Sequence, residues 1–479
     1  MRRAKIDSDD KANRRRLSEP LYGPLDRRGT SPFYQQITDR IRAAIRSGVL
    51  KPGERLPSTR SLASQLSTSR GTIDLAYGVL ASEGHVVGRG AAGTVVASHG
   101  AAVPRIHAMT SAQSDAASVA PFRMGLPALD AFPAQLWARH TARHARRLAS
   151  DAMLVGDPVG YGPLRHAIAS YLAVARGVRC HPEQVIVTSG FQSALGLITR
   201  AFLEPGDEVW CEDPGYFMAR RGFEAAGQRV VAVPVDDDGL VVEAGVAQAP
   251  RARLACVTPA HQAPLGTSLS HERRRALLAW ASSVGAWIVE DDYDSEFRYG
   301  SPPLPSLASM DDAGRVLYVG SFSKVLFPGL RLGYLVVPQG SVDRATYLCE
   351  WLYRDRATLP QAIVADFMVT GRFARHIKRM RALYAERRNA LADALVNRLG
   401  ARLTVHSRMG GMHLYVTLWS GADDVRLAES ARVAGLAPAP LSPWVVSHRH
   451  RPALLLSFTN IAPINATRVV NRLARVLTD

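Results

Sequence analysis

From Gln184 onward, seven short apolar runs recur along the chain: QVIVTSG, EVWCED, RVVAVPV, LACVTPA, AWIVEDDY, VLYVGS and LGYLVVP. Val, Ile, Leu and Cys fill them almost without a break, and stretches of helical period separate them. A strand that shows one face to water alternates polar with apolar residues; a strand covered on both faces does not. The pattern therefore predicts an α/β domain built on a mostly parallel, doubly wound sheet. Such sheets bind ligands outside the carboxyl ends of their strands, so the polar residues that close these runs are the candidates for chemistry.

Four of the runs end in groups that belong together. TSGFQSALGLI places Ser189, Gly190 and Phe191 at the start of a helix, where backbone N–H groups can cradle a phosphate. EDPGYF presents Tyr216, a ring able to stack on a flat ligand. IVEDDYDSEF ends in Asp291, Asp292 and Tyr293; the period of two along a strand puts Asp291 and Tyr293 on one face and Asp292 on the other. SFSKVLFPGLRLGY carries Ser321, Ser323, Lys324 and Arg331. A phosphate cradle, a stacking ring, a carboxylate, a phenol and a lysine make the set that pyridoxal phosphate requires. The lysine forms a Schiff base with the aldehyde, the aspartate keeps the ring nitrogen protonated, and the phenol bonds the ring oxygen. Arg331 suits the phosphate or a substrate carboxylate.

The first hundred residues read differently. SPFYQQITDRIRAAIRSGVL spaces Phe33, Ile37, Ile41 and Ile45 four apart, one face of a helix. KPGERLPS breaks it. STRSLASQL starts a second helix with Ser58 as N-cap and Leu62, Ala63 and Leu66 inward. RGTIDLAYGVLASEG gives a third, with Ile73, Ala76, Tyr77 and Leu80 on one face. HVVGRGAAGTVVAS is two β runs around a glycine-rich tip. Three helices with a tight turn before the third, then a hairpin, predict a winged helix-turn-helix over residues 30–98. Ser69, Arg70 and Thr72 open the third helix and face the DNA major groove; Arg60 and Arg89 are placed for backbone phosphates.

Charge agrees with a polyanionic partner. The chain carries a net +17, and residues 1–98 hold seventeen Lys and Arg against nine Asp and Glu. HGAAVPRIHAMTSAQSDAASVAP, rich in Ala, Ser and Pro, predicts a flexible linker over 99–121, and residues 122–479 form the large domain. No apolar run approaches the roughly 18 residues of a membrane helix. The N-terminus lacks the apolar segment of a secretory signal. The four cysteines are far apart and without metal-ligand spacing. A reduced, cytoplasmic protein with no metal site is expected.

The stretch from PFYQQITDRIRAAIRSGVL to ASEGHVV resembles the DNA-binding domain of GntR-family regulators. It departs at Gly71, where that family often has asparagine after "SR". The large domain resembles fold-type-I aminotransferases, and the whole chain is similar to MocR/GabR-type regulators, in which the two are fused. The motifs that carry this are GLPALDAFPAQLWAR, GDPVGYGPLRHAIASYL, VTSGFQSAL, EDPGYF, TPAHQAPLGTSLS, VEDDYDSEFRY, SFSKVLFPGLRLGYLV and GGMHLYV. The resemblance implies Lys324 as the Schiff-base lysine, Asp291 and Tyr293 as ring partners and Tyr216 as the stacking ring. Ser321, Ser323 and Arg331 would lie on the phosphate side. It implies a domain-swapped or head-to-tail homodimer, with Tyr161 reaching toward the other subunit's site.

Two departures bear on activity. Aminotransferases keep an arginine near the C-terminus for the substrate carboxylate, in a pattern like LRLGF; here PALLLSFTNI puts Leu455 in its place, and leucine cannot make a bidentate pair. An asparagine beside the ring oxygen aligns with Ala263 in HQAP, with Gln262 as its possible substitute. The reading is a DNA-binding regulator that senses pyridoxal phosphate or an amine-bearing metabolite at Lys324, its aminotransferase-like domain used for sensing rather than turnover. The alternatives are a working aminotransferase with an accessory DNA-binding module, and a plain DNA-binding protein whose large domain only dimerises.

Overall fold

The computed structural model describes residues 22–27, 31–90, 93–97, 119–146, 155–300, 304–353, 357–406, 408, 410–448 and 450–477. They fall into two compact units, one within the first 116 residues and one from residue 117 on. The expected linker lies outside the described residues except for 119–121.

In the first unit three helices, α1 (Phe33–Arg46), α2 (Thr59–Gln65) and α3 (Arg70–Ser82), precede the antiparallel pair β1 (Val86–Gly88) and β2 (Thr94–Val96). Ser58 and Ser69 each occupy an N-cap and accept a backbone N–H in the first turn, from Ser61 and Thr72 respectively. The core is the apolar set of the three helices: Ile37, Ile41, Leu62, Ile73, Ala76 and Leu80 are all fully buried. Tyr77, at the back of α3, donates its hydroxyl to Pro57 O at 2.8 Å and so fixes α3 against the turn before α2.

The second unit is organised by a mixed sheet. Its strands, among the described residues, are β3 (Val185–Thr188), β4 (Glu208–Asp213), β5 (Arg229–Asp236), β6 (Gly239–Leu240), β7 (Leu254–Val257), β8 (Trp287–Asp292), β9 (Val316–Ser321) and β10 (Gly333–Val336). Their order is β3-β10-β9-β8-β7-β4-β5-β6. From β5 to β9 every neighbouring pair is parallel. The sheet is therefore mostly parallel, with two departures: β10 runs antiparallel between β3 and β9, and the edge strand β6 pairs antiparallel with β5. LGYLVVP is buried on both faces like the parallel strands, so its direction could not be read from the pattern. Close contact fixes its start. A Cβ at Gly333 would lie 2.9 Å from Gly320 O and 3.1 Å from Gly190 Cα, so glycine alone fits there.

The register brings the chemically interesting strand ends to one edge. Gly333 pairs with both Thr188 and Ser321, and Asp292 pairs with Gly320. Thr188, Ser321 and Asp292 therefore end their strands side by side. A smaller antiparallel sheet follows, ordered β11 (Leu403–His406), β12 (His413–Leu418), β14 (Ala453–Ser457) and β13 (Ala439–Pro440). The chain preceding the large sheet is docked against this one. Pro121 O accepts the Ala437 N–H at 2.8 Å, and Phe122, 1% exposed, bridges to Ser457.

Candidate functional site

Lys324 sits just past the end of β9, and its Nζ donates to Gly125 O at 3.1 Å. Gly125 has φ +81°, and a Cβ there would come within 3.0 Å of the same Nζ. Burial lowers the affinity of Lys324 for its proton, while Asp294 and Asp291 pull the other way. The nitrogen is thus closer to a neutral amine than a surface lysine is. That is the state a nucleophile needs.

Asp291 and Asp292 show why the strand alternation matters. Asp292 turns to the sheet's other face, where Oδ2 takes the Arg176 Nε–H at 2.7 Å and the Tyr318 hydroxyl. Asp291 points back toward Lys324. Burial pushes its carboxyl well above the usual carboxylate range, Asp292 adds to that, and Lys324 pulls against it. Tyr216 joins the same group. Its phenol is pushed up by burial and by Asp291 and drawn down by Arg331. Its ring meets Phe191 edge-on at 5.7 Å and leans on Trp444 at 6.0 Å. Arg331 is exposed, in a left-handed turn with φ +50°. Ser321 Oγ accepts the Ser323 N–H at 3.2 Å, tightening the loop that presents Lys324. Gly190, with φ +101°, caps the helix Phe191–Phe202, and Ser189 is half-buried beside it.

These residues fit pyridoxal phosphate on an observation of their own. Asp291 is a buried acid to which no described residue donates a hydrogen bond, and it lies close to the part-buried Lys324 amine. A cationic ring nitrogen would be the donor that such a carboxylate favours.

Some residues sit otherwise than the motifs suggest. Gln262 is committed to its own loop and to the segment at the end of β4. Its amide donates to Pro214 O at 2.8 Å and to Ala263 O at 2.9 Å, and accepts the Leu265 N–H at 3.0 Å. The neighbour His261 reaches the site instead: Nδ1 lies 2.9 Å from the Tyr293 hydroxyl and 3.1 Å from Asp294 Oδ2. The HQAP stretch drew attention to Gln262 and Ala263 and away from it. The signal that could have found it is GGMH, because a Cβ at Gly411 would meet the His261 ring at 2.0 Å. Tyr161 opens the helix Gly162–Ala175, with its N–H donating to Gln361 Oε1 at 2.7 Å; among the described residues nothing links its hydroxyl to Lys324. Leu455 is fully buried in β14, paired with Tyr415 and Ala439. Strand alternation puts it on the face shared with Ser457, which pairs with His413, and the His413 ring lies 5.5 Å from His261. The leucine therefore faces the site side of the small sheet.

In the first unit Arg60, Arg70 and Arg89 are exposed. Arg70 Nε lies 3.3 Å from Thr59 Oγ1 and 3.7 Å from Asp74 Oδ2. Ser69 Oγ, as the cap of α3, also lies 2.8 Å from Thr72 Oγ1, so both hydroxyls already serve the helix start.

Fold and site together define a DNA-reading domain joined to an aminotransferase domain. Residues 33–96 match the model "Bacterial regulatory proteins, gntR family", and residues 127–437 match "Aminotransferase class I and II". The chain is 36% identical over 467 residues to the probable rhizopine catabolism regulatory protein MocR of Rhizobium meliloti, covering 94% of each. It is 34% identical to the pyridoxine biosynthesis transcriptional regulator PdxR of Corynebacterium glutamicum, over 79% of this chain and 82% of that one. Among solved structures it is similar to LysN, the α-aminoadipate aminotransferase of Thermus thermophilus, with 30% identity and a TM-score of 0.68 over 74% of this chain and 91% of that one; that structure holds N-(5'-phosphopyridoxyl)-L-leucine. The chain belongs to the MocR-type transcriptional regulators, with a gntR-family DNA-binding domain followed by an aminotransferase class I and II domain. The first implies DNA binding and the second implies dependence on pyridoxal phosphate. No helix among the described residues is long and apolar enough to cross a membrane.

Proposed function

We propose that this regulator holds pyridoxal phosphate on Lys324 and uses that attachment to sense the cofactor itself or an amine-bearing metabolite. The observation that carries it is the Lys324 amine, 3.1 Å from the Gly125 carbonyl and lowered in proton affinity by burial, set near the buried acid Asp291, to which no described residue donates. Pyridoxal phosphate, when bound, supplies an aldehyde that joins reversibly to amines and a ring that withdraws electrons from them. Asp291 would favour a proton on the ring nitrogen. Tyr293, beside His261 at 2.9 Å, would address the ring oxygen. Tyr216 would cover the ring face; Ser189, Gly190, Phe191, Ser321, Ser323 and Arg331 would line the phosphate side. Lys324 would hold the aldehyde carbon, with its nitrogen placed between the Gly125 carbonyl and Asp291.

Regulation then requires that ligand bind two states of the protein unequally, because equal affinity shifts nothing. The winged helix, spanning about residues 30–98, reads DNA with Arg70 at the mouth of α3 and Arg60 and Arg89 on phosphates, while the capping hydroxyls of Ser69 and Thr72 set the helix entry. The large domain over 122–479 assembles as a homodimer in the cytoplasm, with Tyr161 turned to the partner's site. Leu455 in place of a carboxylate-binding arginine favours sensing over turnover of ordinary α-amino acids.

The test is covalent. Borohydride reduction of the cofactor-loaded protein, followed by peptide mass spectrometry, is expected to fix the cofactor's mass on Lys324. An adduct elsewhere, or an unchanged adduct in Lys324→Ala, overturns the assignment.

A further inference from the structure

The chain between β13 and β14 leaves the small sheet and reaches the carboxyl end of β4 in the large one. A buried carboxylate holds this strap at each place. At its start Asp424, 2% exposed, accepts the Leu441 and Ser442 N–H groups at 3.0 Å each and the Ser442 hydroxyl at 2.6 Å. At the far end stands Asp213, the last residue of β4 and fully buried. It accepts the N–H groups of Val446, Ser447 and His448 at 2.8, 2.9 and 3.0 Å and the Ser447 hydroxyl at 3.1 Å, and His448 Nδ1 lies 2.9 Å from the same carboxylate. Burial raises the Asp213 carboxyl, but the Ser447, Val446 and His448 donors outweigh it and hold it below the usual range. A carboxylate taken out of water is costly unless its hydrogen bonds are made, and here three successive residues of the strap make them. Val446 and Ser447 themselves remain exposed, so their own burial does not account for the clamp.

Between its two carboxylates the strap carries Trp444 to Tyr216. Trp444 O accepts the Gly215 N–H at 3.2 Å, and the Trp444 ring lies 6.0 Å from the Tyr216 ring and 5.3 Å, edge-on, from that of Phe217. The strap therefore meets both the turn that presents Tyr216 and the ring itself. That turn has no slack, because a Cβ at Gly215 would come within 2.1 Å of Glu212 O. Phe191 meets the same Tyr216 ring edge-on at 5.7 Å. Aromatic pairs prefer particular mutual tilts, so a ring with two such neighbours is held in orientation as well as in place.

We propose that Asp213 and Trp444 are positioning residues for the cofactor-facing ring: Asp213 anchors the strap, and Trp444 on the strap sets the tilt of Tyr216. Neither is assigned a contact with the cofactor. The inference rests on the reading of Tyr216 as the ring that covers pyridoxal phosphate, and adds that the small sheet helps to set that ring's orientation.

The experiment uses full-length protein and pyridoxal phosphate, with two readouts: affinity from absorbance titration, and the visible circular dichroism of the bound cofactor, which reports how its ring is held. Trp444→Leu is expected to weaken binding roughly three- to tenfold, the worth of one aromatic pair, and to reduce the dichroism; Trp444→Phe should restore most of both. Asp213→Asn should act in the same direction. If the tryptophan works through the tyrosine, then in Tyr216→Leu/Trp444→Leu its loss adds nothing to that of the tyrosine. Thermal melts of the cofactor-free variants separate positioning from stability. A strap that only stabilises the fold lowers the melt and leaves affinity and dichroism unchanged, and that result overturns the proposal. Losses that simply add in the double variant overturn it too. A Tyr216→Leu variant that moves neither readout fails the Tyr216 reading and the positioning role with it, whereas a strong Tyr216→Leu effect beside a silent Trp444→Leu sinks the positioning role alone. Should Asp213→Asn fail to fold, the Trp444 variants, which leave the clamp intact, carry the test.

Discussion

Lys324 Nζ and the Gly125 carbonyl oxygen stand 3.1 Å apart, although 199 positions separate the two residues in the chain. The contact ties the loop after β9 to the segment that enters the large domain. It also leaves no room beside the lysine, because the left-handed backbone at Gly125 and the nearness of Nζ both exclude a side chain.

Gly125→Ala is expected to cost roughly 1–2 kcal/mol for the backbone alone. The new methyl group would also displace Nζ. Thermal melts should show the loss of stability, and cofactor titration a weaker attachment; unchanged attachment would mean that the lysine does not work from this position.

The neighbours Asp291 and Asp292 should respond oppositely. Asp292→Ala leaves the Arg176 guanidinium, side chain 4% exposed, without its carboxylate. Breaking a buried pair from one side costs about 3–5 kcal/mol, to be read from denaturant midpoints. Asp291→Asn removes an acid whose charged form burial disfavours and which no described residue hydrogen-bonds, so stability should hold or rise while cofactor affinity falls.

Glu212 gives a pH signature. Burial pushes its carboxyl up to about 7, against the hydrogen bonds of Thr258 and Gln262, from an ordinary value of 4.5. A raised folded-state pKa contributes stability that is complete below the unfolded value and is lost as pH climbs through the folded one. Glu212→Gln should therefore gain on wild type between pH 4.5 and about 7, by a swing on the order of 3 kcal/mol. Melts across that range check the sign; a constant difference would place the titration elsewhere.

Arg70→Ala should weaken operator binding by about 1–3 kcal/mol if it reads a base, and lower the salt slope by about one if it meets a phosphate. Binding unchanged at every salt concentration would remove Arg70 from the interface.

Much of this was legible in the residues. The seven apolar runs are all strands, and the period of two separated Asp291 from Asp292 correctly. The three helices of the first unit bury the faces that their spacing marked. The direction of β10 was not legible, because two-sided burial looks the same in parallel and antiparallel strands; only its pairing with β3 and β9 shows it. The small antiparallel sheet was missed for a related reason. Its strands β12 and β14 are joined only through pairing across forty positions, and PALLLSF reads as one more buried run. His261 was hidden because its role depends on Tyr293 and Gly411, which the fold brings to it from two other segments.

The most direct measurement of the central claim is operator affinity for wild type and Lys324→Ala, each with and without pyridoxal phosphate. The account predicts that the cofactor changes the affinity of wild type and leaves that of Lys324→Ala unmoved. The same change in both proteins, or none in wild type, would contradict it.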